Sequence, residues 1–470
     1  MQKHPDFQTK FFERASYQFY FVGQLISYGI MTSFLTLFMT ESGIPAFVVS
    51  AVLIVAKVWD AINDPLFGVI VDKSHLKGGK YLPWVRLSTV LIAVTTILAF
   101  AMPQTLGIPA KTAWILIAYL LWDLAYTMCD VPIFALATVM TDNLQERDSM
   151  YVLKGFFTYV GGLIVLIALP LMYPAIGWSV TVIILSALGM AFMLPIGFTA
   201  KERHQPVQEK EPSIKELFSY LLSNRPLLIF NGASIIACLT ATGGTVANYV
   251  AIYCLGGEQW ISYLTILMIA PMIISIFVVQ ILIKKVDKFI IYVGANVISI
   301  LCSIILYFVG YSNIIAVCVI IVIKTLLTSG AGVTGIMFTA DCAEYGHFKT
   351  GTRAQGMAFS VQTFTAKVTG ALSGSIGMFL LGLVGFVEGS GAMQSPDTIR
   401  WIWLMWTLIP VISLAAAILL IVFGYKLPTE DAKLMAKCNA GEISREEALA
   451  GFRYKGYGFE AVLPSKTTDS

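Results

Sequence analysis

The stretch "AKVWDAINDPLFGVIVDKSHLKGGKYLPW", Ala56–Trp84, sets Lys57, Asp60 and Asp64 inside a run that otherwise reads as a helix in lipid. An ion at the bilayer centre costs at least about 2.5–3.5 kcal/mol on insertion scales, so such residues face a bundle interior or an aqueous cavity and usually work there. The apolar setting extends along the whole chain. Of 470 residues 57% are hydrophobic and 13% charged, against about 25% charged in a soluble domain. Runs long enough to cross a bilayer as a helix recur twelve times, near 15–39, 46–72, 83–103, 112–140, 152–175, 178–199, 227–254, 261–283, 289–310, 314–340, 356–386 and 400–425. No ten-residue alternation suggests a barrel, and backbone hydrogen bonding in lipid leaves helices. The predicted fold is an all-α membrane protein of twelve transmembrane helices.

Positive residues near span ends stay on the cytoplasmic side. With both termini inside, 26 of the 31 Lys and Arg lie in, or at helix ends beside, the cytoplasmic segments; Lys111 and Arg400 fall outside, and Lys57, Lys324 and Lys367 lie within spans. The net charge of +3 therefore reflects topology and gives no reason to invoke nucleic acid. The first apolar run is too long for a removed signal peptide. The seven cysteines show neither metal-ligand spacing nor paired external placement, which makes them core thiols.

A polar break at 200–226 divides the chain into a six-helix bundle at 1–199 and a second at 227–425, followed by a cytoplasmic tail at 426–470. Such halves suggest an internal repeat with a substrate site between them. "EPSIKELFSYLL" in the break predicts a short amphipathic helix capped by Ser213, and in the tail Ser444 with Glu447 predicts a capping box.

On the second span Asp60 and Asp64 lie about 40° apart around a helix, and Lys57 and Asn63 join the same stripe. Two carboxylates, an amide oxygen and an ammonium form a group whose charge balance a cation changes. The rival reading is a Lys57–Asp60 pair that only locks packing. On the fourth span Asp123 and Asp130, seven residues apart, flank Thr127, with Trp122, Tyr126 and Phe134 nearby. Carboxylates accept from vicinal hydroxyls and aromatic rings pack on sugar C–H faces, so this set suits a polyol. Asp123 could instead be a structural partner. In the eleventh span Gln362 and Thr363 precede Lys367, whose acid partners are expected on the second or fourth span; Lys324 reads equally as pathway lining or a structural pair.

The stretches "WDAINDP", "GKYLPW", "YTMCDVP", Glu146–Arg147 and "DCAEYGHFKTGTRAQGMAFSVQTFTAK" resemble the signatures of the glycoside-pentoside-hexuronide:cation symporter family, melibiose permease-like, of the major facilitator superfamily. The resemblance covers nearly the whole chain and implies the two-bundle major facilitator fold. It implies cation-site roles for Asp60, Asn63, Asp64 and Thr127, with Na⁺ at Asp60 and Asp64 as one option. Asp130 and Lys367 fall at sugar-site positions, joined in our reading by Phe134, Gln362, Thr363, Asp123 and Tyr126. Coupling and gating roles fall to Lys57, Asp72, Arg147, Asp341, Glu344, Tyr345, Lys349 and Arg353, the last five in a cytoplasmic 10–11 loop. The chain departs from melibiose permease where Gln24 and Leu25 replace a Lys–Asp pair, and where Gly155 replaces an Arg, with Lys154 just before it. No replacement partner is visible from the sequence.

The expected function is sugar symport driven by Na⁺ or H⁺, with no cofactor beyond that cation, acting as a monomer in a bacterial inner membrane. The partners are a small sugar or glycoside and the lipid bilayer. The alternatives are a sugar receptor that does not transport, or a membrane prenyltransferase using the DxxxD pair. The latter lacks a second acidic motif, and no P-loop supports ATP-driven transport.

Overall fold

A computed structural model of the chain describes residues 7–74, 78–204, 214–351, 355–389 and 391–457. Its spans are α1 Phe11–Glu41, α2 Ala46–Lys73, α3 Leu82–Phe100, α4 Ile108–Met140, α5 Leu144–Ile176 and α6 Trp178–Thr199. After the short α7, Ile214–Ser223, come α8 Arg225–Cys254, α9 Gln259–Leu282, α10 Lys288–Val309, α11 Ile314–Thr350, α12 Gln355–Leu383 and α13 Pro396–Gly424. The tail forms α14, Thr429–Asn439, and α15, Arg445–Gly451. Among the described residues eleven helices are long and apolar enough to cross a membrane. The helix bearing Lys57 and Asp60, α2, stands beside these eleven with 28 residues, about 42 Å at 1.5 Å per residue and ample for a crossing.

Local chemistry sets the helix ends. Asn143, Asn224, Asp287 and Asn313 each accept a backbone N–H in the first turn of the helix they precede, satisfying donors that have no intrahelical partner. Glu202 does this from a distance: its carboxylate accepts the N–H groups of Lys80, Tyr81 and Leu82 at 2.7–2.8 Å, pinning the start of α3. The Ser444–Glu447 capping box forms at α15. The α7 helix begins at Ile214, while its expected cap Ser213 lies outside the described residues. Single π-turns interrupt α1 at Ile30–Phe34 and α8 at Val250–Cys254, each shifting the hydrogen-bond register by one residue.

The helical contacts form two compact units. The first comprises Met1–Glu209, Gly244–Ile266 and Gly374–Trp403. Within it α1 packs on α5 and α6 at glycines: a side chain at Gly23 would strike the Gly189 carbonyl, and one at Gly161 the Val22 carbonyl, the small-residue contact common between helices in lipid. Its core gathers Tyr17, Tyr20, Phe21, Val85, Cys129, Ile133 and Met150. Its opposite end is stitched by polar contacts: Tyr249 Oη lies 3.0 Å from Thr40 Oγ1, Asn248 donates to the Ser33 carbonyl (2.8 Å), and the Ala46 N–H donates to Glu388 (2.9 Å).

The second unit comprises Lys210–Gly243, Leu267–Ser373 and Leu404–Ser470. Leu227, Phe230, Phe338, Cys342, Tyr345, Phe348 and Tyr425 build its core. One sequence expectation changes here. The residues assigned to a 10–11 loop are helical through Thr350, so Asp341, Glu344, Tyr345 and Lys349 sit on α11 itself. No proline lies between Phe338 and Phe348, and Gly351, at φ 71°, supplies the left-handed stop.

Candidate cation and sugar site

In the first unit, α2 and α4 bring the intramembrane polar residues together. Lys57 Nζ lies 3.4 Å from Asp60 Oδ2, a one-turn pair. Asn63, buried, donates from Nδ2 to Thr127 Oγ1 at 2.8 Å and to Asp123 Oδ2 at 3.4 Å, and Thr127 donates to the Asp123 carbonyl at 3.1 Å. Asp123, only 5% exposed, is thus hydrogen-bonded with Asn63 and Thr127, the residues expected at the cation site, although Asp123 itself was expected with the sugar. Residues 123, 127 and 130 share one α4 face by helical spacing.

Asp130 lies three residues beyond Thr127, within one turn of it. Gln24 of α1 donates to its Oδ1 at 2.8 Å and to Cys129 Sγ at 3.3 Å. Lys154 of α5 sits 3.6 Å from the Phe134 ring centroid and 5.0 Å from that of Phe21, close enough for Asp130 to act on its charge. Where the resemblance puts an Arg at the position of Gly155, this chain carries Lys154 one position earlier. Gln24 supplies a neutral donor where the family type has a charged pair.

Aromatic rings line the ground between the two groups. Trp122 stacks on Tyr126 with centroids 5.2 Å apart, and Tyr28 approaches Tyr126 at 5.2 Å. Tyr119 adjoins Trp122 at 5.5 Å and feels both Lys57 and Asp60. Trp122 Nε1 is buried and finds no hydrogen-bond partner among the described residues, so it is a donor that a bound molecule could use. The side chains of Asp64 and Asp72 lie outside what the structure describes, as does Arg353. Among the described residues no three His, Cys, Asp or Glu side chains converge as a metal site.

The second unit holds Gln362, Thr363, Lys367, Asp341, Glu344, Tyr345, Lys349 and Lys324. On α12, Gln362 is half-buried, Thr363 is exposed with its hydroxyl on the Phe359 carbonyl at 3.0 Å, and Lys367 is exposed one turn later. Asp341 pairs with Lys288 at the start of α10. Glu344 accepts from Asn439 at 2.7 Å, Tyr345 is buried, and Lys349 donates to the Ser223 carbonyl at 2.8 Å. Lys324 donates to Ser303 at 2.7 Å, which favours the structural reading. In the first unit Arg147 is half-buried in the first turn of α5, beside the other member of its sequence motif, to which the sequence reading gave no role. That neighbour, Glu146, is fully buried and accepts from the Gln8 amide (3.0 Å), the Thr141 hydroxyl (2.7 Å), Arg14 (3.1 Å) and the Thr9 hydroxyl. Burial raises its carboxyl pKa, but these bonds outweigh burial and hold it below the usual value. Only its place in an "ER" pair outside a span signalled it.

Comparison with known proteins places these residues in context. A family model described as MFS/sugar transport protein matches residues 16–429. The chain is 26% identical over 453 residues to the isoprimeverose transporter of Lactiplantibacillus pentosus, covering 93% of each chain. It is 25% identical to the inner membrane symporter YicJ of Escherichia coli (strain K12), over 83% of this chain and 86% of that one. Among solved structures, the nucleoside transporter NupG superposes with a TM-score of 0.64 at 14% identity, over 87% of this chain and 99% of that one, a likeness of fold.

Proposed function

The chain belongs to the MFS/sugar transport protein family, the glycoside:cation symporters of the major facilitator superfamily, and on that premise we propose that it carries a sugar or glycoside inward with Na⁺ or H⁺. It is an integral membrane transporter and not an enzyme. The relatives' names, an isoprimeverose transporter and an inner membrane symporter, support a sugar substrate and a bacterial inner-membrane location, and the Lys and Arg distribution supports cytoplasmic termini.

The observation that carries the reading is the polar seam between α2 and α4. Asn63 joins Asp123 and Thr127 beside the Lys57–Asp60 pair, and Asp130 with Lys154 and Gln24 lies one turn along the same helix. In this mechanism the cation binds at Asp60, Asn63, Asp64 and Thr127, with Asp123 as an added acid, and takes over the charge balance that Lys57 provides in its absence. Asp130 accepts vicinal sugar hydroxyls, Lys154 donates to a further oxygen, and Tyr126 and Phe134 offer apolar faces. Gln362, Thr363 and Lys367 contribute from the second six-helix bundle. The bundles, 1–199 and 227–425, then rock in alternating access, as carriers built from structural repeats do. Asp72, Arg147, Asp341, Glu344, Tyr345, Lys349 and Arg353 serve the inner gate.

The test is uptake of labelled pentosides, hexosides and uronides into proteoliposomes under an imposed Na⁺ or H⁺ gradient, and with each gradient collapsed. Accumulation that follows one gradient is expected. Uptake indifferent to both gradients, or none across the panel with folded protein, overturns the reading.

A further inference from the structure

The polar chain after the last span is folded, and it is seated on α11. The family match ends at residue 429, where α14 begins. Asp431 is fully buried, and its carboxylate accepts the N–H groups of Arg453 (2.7 Å) and Tyr454 (3.0 Å) and the Tyr457 hydroxyl (2.9 Å). A carboxylate is buried at acceptable cost only when so satisfied, so these bonds hold the tail folded back on itself. Met435, Ala448 and Phe452 join one apolar core with Tyr345 and Phe348 of α11.

Two side chains then reach the end of α11. Asn439 donates from Nδ2 to the Glu344 carboxylate at 2.7 Å and to the Glu344 carbonyl at 3.0 Å. Arg445 donates to the Phe348 carbonyl at 2.8 Å, with its guanidinium 4.4 Å above the Phe348 ring. Carbonyls in a last helical turn lack intrahelical donors, and a cation there matches the helix dipole. Alanines line the ground one turn before the Asn439–Glu344 anchor. Ala340 and Ala343 oppose Ala432 and Ala436 across a cavity of about 310 Å³ that also touches Asp341 and Glu344. The seat is fixed by its polar anchors more than by close packing at that point.

We propose that residues 429–457 form a clamp that positions the end of α11 for transport, with Asn439 and Arg445 as its positioning residues. The inference rests on reading Glu344 and its neighbours as gating residues. Loosening the clamp slows the conformational step and leaves sugar binding in place, because no clamp residue belongs to the proposed sugar site.

The experiment uses the full chain and two substitutions. Asn439→Asp keeps size and sets a like charge against Glu344; Arg445→Met keeps the stem and removes the donor. Each is expected to lower the initial uptake rate at least tenfold, with the sugar Kd in detergent within threefold of wild type. Trypsin should spare Lys437 and Arg445 in the solubilised wild type and cut at Lys437 faster in both variants. Wild-type turnover in both variants, or binding and turnover falling together, overturns the proposal. Should the wild type accumulate no sugar, the transport reading fails, and proteolysis alone decides the clamp. Protection lost in Asn439→Asp supports it, and a wild-type tail cut as fast as an unfolded peptide overturns it.

Discussion

Lys57→Met is the most informative substitution, because Lys57 Nζ lies 3.4 Å from Asp60 Oδ2, the carboxylate to which the proposed mechanism assigns the coupling cation. At an effective dielectric of about 20 that separation corresponds to about 5 kcal/mol of Coulomb energy. The side chains keep 33% and 19% of their exposure, and exposed pairs are worth only about 0.2–1 kcal/mol, so solvent takes most of the Coulomb figure. A partly buried pair then retains about 1–2 kcal/mol, between the two limits. A cation entering at Asp60 must displace that interaction. Methionine preserves the apolar stem and removes the competitor, so the half-saturating cation concentration for sugar uptake should fall about 5–30-fold, at 1.4 kcal/mol per decade. The assay is initial uptake in proteoliposomes titrated with Na⁺ or with H⁺, at fixed internal ion. An unchanged or higher half-saturating concentration, with sugar binding intact, would refute the idea that Lys57 stands in for the cation.

Asp60→Cys or Asp64→Cys should abolish gradient-driven accumulation and leave energy-independent exchange; full accumulation in both sinks the cation site. Asp123→Asn removes the acid that Asn63 contacts, and cation-dependent stimulation of uptake should drop at least tenfold with exchange preserved, whereas unaltered cation dependence would return Asp123 to a structural role. Lys154→Gln should weaken sugar binding by about 1.5–3 kcal/mol, the worth of a charged hydrogen bond, read as a rise in Kd with cation affinity unchanged; an unchanged Kd excludes Lys154 from the sugar site. Glu146→Gln tests the buried carboxylate that ties Gln8, Thr9, Arg14 and Thr141 to the start of α5. Because the folded carboxyl titrates below its usual value, its stabilisation is complete above the unfolded pKa of about 4.3 and is lost as pH falls through the folded value. The variant should lose about 1–3 kcal/mol at neutral pH and show a flatter Tm below about pH 4.3, and a wild-type acid profile would count against this account.

By itself the sequence determined the all-helical membrane class and, through ordered motifs, the transporter family. Both are local properties: hydropathy sums along consecutive residues, and a motif keeps its spacing whatever the helices do. It also determined the shared faces of Lys57 with Asp60 and of Thr127 with Asp130, since 3.6 residues per turn fixes them. Partners on other helices were decided by the tertiary structure alone. Gln24 meets Asp130 across 106 residues of chain and Asn63 meets Asp123 across 60, and those encounters depend on how α1, α2 and α4 rotate and cross. That Lys154, one position before Gly155, reaches Phe134 of α4 and Phe21 of α1 was not legible, because one step along a helix turns a side chain by about 100° and only the packing of α5 against those helices fixes its direction. The helical continuation of α11 and the seat of the tail were hidden for the same reason: the donor for the Phe348 carbonyl is Arg445, 97 residues later, and the partner of Glu344 is Asn439, 95 residues later. Composition shows a polar tail with capping signals; only the fold shows what that tail caps.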